Sequence, residues 1–154
     1  MPPEEWIDNE EWLYRSFPVP DTRQNGAIHY EIIDGVLRLG RGAWNDRNLR
    51  PSVDRKLLLS SPSEVVERET DAVVQIQAKE IRSISGTIQS SGNESHTHDV
   101  IFDKTPVRPA HALITTSPAF ADRPNSEKTK WKTFQRLLSL AAEKHGWVIE
   151  PEIS

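Results

Sequence analysis

Only one stretch of this 154-residue chain carries an apolar period long enough for a helix of several turns. Between Ser126 and His145, Trp131, Phe134, Leu138, Ala141 and Ala142 recur at helical spacing, joined by Leu137 and His145. That is the stripe of a helix packed along one side. Lys128, Lys130, Lys132, Gln135, Arg136 and Glu143 fall on the outer surface. Gly146 stands where a left-handed cap would end the helix, and Trp147–Ile149 returns as a short strand. Everything upstream is cut into shorter pieces by most of the chain's eleven prolines. One long helix behind many short strands predicts an α+β fold, a mostly antiparallel sheet of five to six strands packed against the C-terminal helix.

The strand signals come in chain order. Trp12–Phe17 alternates large and polar residues and stops before Pro18, as a strand or an extended arm does. Ala27–Ile33 and Val36–Leu39 flank Asp34-Gly35, a two-residue connection that requires positive φ at both positions and so predicts a type I′ hairpin. Ser52–Leu59 reads either as a short helix capped by Ser52 or as a strand entering the core with its three leucines. Ser61 or Ser63 caps a second short helix, with Glu64–Arg68 as its body. Val73–Gln77 is a strand; Glu80–Ser85 keeps the alternation, so the strand runs on or bends there. His98–Phe102 and Ala110–Thr116 complete the set.

The length suits a single domain over residues 1–154, with 1–11 as a loose acidic arm in which Trp6 and Ile7 are available as pins to the body. There is no cysteine, which excludes disulfides, thiolate metal sites and thiol catalysis. The acidic N-terminus has no apolar leader and no run is long enough to span a bilayer, so a cytoplasmic protein without membrane contact is expected. No metal or organic cofactor is expected either.

A net charge of −4 argues against general nucleic-acid binding. Against that background, residues 38–56 hold six basic residues and two acids. Gly40 and Gly42 would let backbone N–H groups approach an anion, Trp44 would stack on a planar group, and arginines grip phosphate or carboxylate bidentately. Arg41, Trp44, Arg47 and Arg50 are the candidate binding residues. Asp54 and Arg55, nearer the leucines, are expected to be members of structural ion pairs. The glycines match neither a P-loop nor a dinucleotide fingerprint.

The histidines offer a second chemistry. His96 and His98, two apart on a strand with Asp99 beside them, resemble a fragment of a metal site, with His111 as a third ligand; an exposed pair at a turn explains them more simply. His98 or His111 beside Arg50 or Lys104 would also serve a metal-independent nuclease, the histidine moving protons and the cation neutralising phosphate. Nucleophilic catalysis has no local signature, because neither G-x-S-x-G nor S-x-x-K occurs.

The runs Trp12-Leu13-Tyr14-Arg15, Arg50-Pro51-Ser52-Val53-Asp54-Arg55 and Pro109-Ala110-His111-Ala112 resemble a group of small bacterial proteins of about 150 residues without an assigned activity. The resemblance implies that the second and third runs meet in space. The expected function is a non-enzymatic binding or interaction protein with a protein partner, an accessory of a bacterial toxin, defence or stress system. The alternative is a small nuclease or nucleotide-handling enzyme acting on RNA or another phosphate-bearing ligand.

Overall fold

The computed structural model describes residues 6–17, 30–44, 50–66, 71–84, 97–117 and 128–150. Strand β1 (Trp12–Phe17) lies inside the main sheet, flanked by β4 (Ser52–Arg55) and β5 (Ala72–Gln77). With β6 (Thr97–Phe102), β7 (His111–Ser117) and β8 (Trp147–Ile149) it forms a six-stranded antiparallel sheet of order β6-β7-β4-β1-β5-β8. A separate hairpin pairs β2 (Tyr30–Ile33) with β3 (Val36–Leu39). The long helix is α2 (Lys128–Glu143), so the α+β architecture stands as the sequence predicts.

Side chains alternate between the two faces of each strand. Leu13, Val53, Val74, Ile76, Ala112 and Ile114 point to the inner face and join Phe134, Leu138 and Ala142 of α2 in one buried cluster. Tyr14 and Val73 point to the outer face, where Val65 and Leu59 cover part of the sheet. Helix α1 (Ala78–Ser83) follows β5 directly yet touches β6. On a flat sheet those strands would lie roughly 19 Å apart at about 4.8 Å per interval. Six helical residues span only about 9 Å. The sheet therefore curls around the inner cluster, and Arg82 of α1 closes the gap by bonding Asp99 of β6 at 2.7 Å.

Several local expectations change. The segment after Gln77 leaves the strand to form α1, because Ala78, Ile81 and Ile84 share one buried side at helical spacing. Glu80 supports the turn by accepting the Gln77 backbone N–H at 2.9 Å. The leucine run does not enter the inner cluster. It turns as a 3₁₀ helix at Lys56–Leu58, which leaves Leu57 68% exposed and only Leu59 packed on the outer face. The second short helix is a 3₁₀ turn at Pro62–Val65 capped by Ser61, whose backbone N–H is bonded in return by Glu64. Gln135 is fully buried on α2 rather than exposed.

The hairpin and the helix end follow their local chemistry. Asp34 and Gly35 have φ of 52° and 79°, as a type I′ turn needs, and Gly146 caps α2 with φ 71°. Residues 6–11 are docked, not loose: Ile7 joins the inner cluster, and Glu11 and Asn9 carbonyls accept the first N–H groups of α1. No helix among the described residues is long and apolar enough to cross a membrane.

Candidate functional site

The basic segment divides at Trp44. Gly40 accepts a hydrogen bond from Ser139 of α2 at 3.1 Å, and the chain then winds through a 3₁₀ turn, Arg41–Trp44. Arg15 holds that turn from below, donating to the Ala43 carbonyl at 2.8 Å and to the Ser52 carbonyl at 2.8 Å. The result buries Trp44 completely in the inner cluster. Its expected role as an exposed stacking surface is therefore corrected: Leu39, Ala43 and Trp44 all join the inner cluster. Arg41 opens the turn, Arg47 lies outside the described residues, and Arg50 is exposed just before β4.

The histidines do not converge. His98 stands on the inner face, stacked on Phe134 with ring centroids 4.2 Å apart. It is buried, which corrects the exposed pair at a turn, and His96 lies outside the described residues. His145 follows α2, bonded to Glu80 at 2.8 Å with its ring against Trp12. Among the described residues no group of three metal-ligating side chains occurs.

His111 belongs to the outer face, and there the two motifs meet. In the register of β4 against β7, Val53 faces Ala112 and Asp54 faces His111. The nearly buried His111 ring lies between two partners. Nε2 is 3.0 Å from Ser52 Oγ, and Nδ1 is 3.1 Å from both the carboxylate Oδ2 and the main-chain oxygen of Asp103. Both neighbours of Nδ1 are pure acceptors, so in a neutral ring Nδ1 carries the proton and Nε2 offers a lone pair to the serine hydroxyl. Beside them Arg108 is paired with Asp54. Sequence reasoning missed Ser52, Asp103 and Arg108 as site residues, since their proximity comes from strand register and not from local spacing.

A different kind of site lies on the helical side. An open groove of about 690 Å³ runs between the hairpin, α1 and α2, lined by Val36, Leu37, Ile84, Leu137, Leu140 and Ala141 among others. Val36 and Leu140 are more than half exposed, as is Ile33 at the end of β2. Arg38, Glu80, Glu143 and Lys144 give the groove its polar edge. Both acids are committed inward, Glu143 to the Leu39 N–H at 2.6 Å and Glu80 to Gln77 and His145. Among the described residues Arg38 and Lys144 have no ion-pair partner. The groove thus presents an apolar floor with two basic side chains at its edge that no acid among the described residues pairs.

The chain matches no protein-family model, no curated protein and no solved structure.

Proposed function

We propose that this protein acts by binding a protein partner, and that the groove between the hairpin, α1 and α2 receives an acidic segment carrying apolar side chains. The observation that carries this reading is the pairing of exposed Val36 and Leu140 with the uncommitted Arg38 and Lys144. A monomer rarely leaves large apolar side chains gathered in a concave surface without an occupant. Charge complementarity then favours an acidic partner, because Glu80 and Glu143 turn their carboxylates to donors within the fold while Arg38 and Lys144 have no ion-pair partner among the described residues. A volume near 690 Å³ is in the range of clefts that bury several side chains of a ligand.

The nuclease alternative draws less support. A phosphoryl-transfer site needs cations free to face the phosphate. Here Arg55 is committed to Glu11 on the inner face and Arg82 to Asp99, so neither is free to join Arg108 beside His111. The exposed cations beside β4, Arg50 and Lys56, stand at opposite ends of the strand and do not converge.

A photo-crosslinking residue placed at Leu140 tests the reading in cells, beside the same residue at Thr115 on the far face of the sheet. The expected result is a discrete adduct from position 140 that is absent from 115 and is lost in the R38E/K144E background. Equal labelling from both positions, or an adduct indifferent to charge reversal, would remove the groove as the binding site.

A further inference from the structure

We infer that Ser52 is an activated nucleophile and that the outer face of the sheet cleaves esters of apolar acyl groups, an activity separate from the groove. The chain of contacts has the order that nucleophilic catalysis requires: a hydroxyl, an imidazole that accepts its proton, and a carboxylate that fixes the imidazole's tautomer. Ser52 Oγ lies 3.0 Å from His111 Nε2, and His111 Nδ1 lies 3.1 Å from Asp103 Oδ2. His111 is held on both sides and nearly buried, so its ring has little freedom to turn away.

The surroundings select the acyl group. Ser52 faces Leu113 across the β4–β7 ladder, and Leu113 faces Ile101 across β6–β7. Directly opposed side chains lie about 5 Å apart, so these three make a row of roughly 10 Å. Ile101 is 47% exposed, which leaves an apolar shelf open beside the hydroxyl. Arg108, tethered by Asp54, places a cation on the same face. Only one of its five N–H donors is used by that pair, and the inference assigns the others to charge developing on the ester carbonyl oxygen.

The step balances within these groups and water. Ser52 Oγ bonds to the acyl carbon while its proton passes to His111 Nε2. The ester C–O bond breaks, and the leaving alkoxide takes that proton and departs as alcohol. Water then attacks the acyl-serine, gives a proton to His111, and the carboxylic acid leaves as the proton returns to Ser52 Oγ. No oxidant, metal or second substrate besides water is consumed.

The test treats the full-length folded protein with an alkyl fluorophosphonate and maps adducts by mass spectrometry, with p-nitrophenyl butyrate hydrolysis in parallel. The inference expects phosphonylation at Ser52 ahead of every other serine, and none at that position in S52A. Because H111Q alters a nearly buried ring, D103N is the second variant; its carboxylate is about half exposed and its loss spares the core. Labelling and hydrolysis should fall at least tenfold in D103N and about a hundredfold in H111Q, the scale of general-base assistance. Folding of both variants is verified by near-ultraviolet circular dichroism. Absence of an adduct on Ser52 in the native protein, or an unchanged labelling rate in folded D103N, overturns the inference.

Discussion

Strand β4 carries two kinds of ion pair on opposite faces, and they use the same chemistry to different ends. Arg55 points inward and is fully buried. Glu11 meets it through both carboxylate oxygens at 2.8 and 2.9 Å, the Trp6 carbonyl accepts at 3.1 Å, and the guanidinium lies over Phe102. Its neighbour Asp54 points outward and pairs with Arg108, whose side chain is 41% exposed. The inner pair ties the 6–11 segment to the end of the sheet. The outer pair keeps a charged group at the surface beside His111. A run of charge in sequence therefore encodes a structural anchor at one residue and a chemically available face at the next.

The largest effect should come from breaking the inner pair. Glu11→Ala removes the carboxylate that grips the buried guanidinium at two points, and removing one member of a buried pair costs about 3–5 kcal/mol. Urea unfolding measures this directly. The double variant E11A/R55M should recover a large part, because the buried guanidinium is removed together with its carboxylate. If E11A costs less than about 1 kcal/mol, the inner pair is no anchor and the contrast between the faces fails.

Val53→Ala ranks second. Val53 lies fully buried between β1 and β7, and loss of two methyl groups removes about 1.6 kcal/mol of transfer energy before the cavity is counted. The same unfolding experiment should give about 2–3 kcal/mol. Arg108→Ala comes next. It leaves Asp54 buried without its partner, at a cost of about 1–3 kcal/mol. Asp54→Ala should cost less, since the half-exposed Arg108 simply returns to water. The reverse order would mean that the outer pair is as desolvated as the inner one.

Much of this arrangement is legible in the residues themselves, and the parts that are not share a cause. The hairpin at Asp34-Gly35 and the cap at Gly146 depend on local backbone chemistry, so residue type is enough. The α2 stripe is visible because Trp131, Phe134, Leu138 and Ala142 repeat at the helical period. The burial of Trp44 is hidden, because Gly40 and Gly42 describe how the backbone bends and not where the next ring goes. The bond from Ser139 to Gly40 decides that, across 99 residues. The Ser52–His111 contact joins residues 59 apart and exists only in one register of β4 on β7. The R-P-S-V-D-R and P-A-H-A runs hold Ser52 and His111, but neither run contains Asp103, which bonds the other side of the ring.

Ser52→Ala should show the smallest effect, and its smallness is what makes it informative. The serine is half-buried at the entrance of β4, one residue from Val53 and on the opposite face. Truncation removes one hydroxyl and leaves His111 Nε2 without its donor. A hydrogen bond of this kind contributes about 0.5–1.5 kcal/mol. The difference between V53A and S52A thus measures the difference between the faces with the chain position held nearly constant. A cost for S52A equal to that of V53A would mean that the hydroxyl is a buried structural donor on a closed surface. A cost near the lower end leaves the fold intact while removing the only hydroxyl bonded to His111 among the described residues, so any lost reactivity then belongs to the hydroxyl itself.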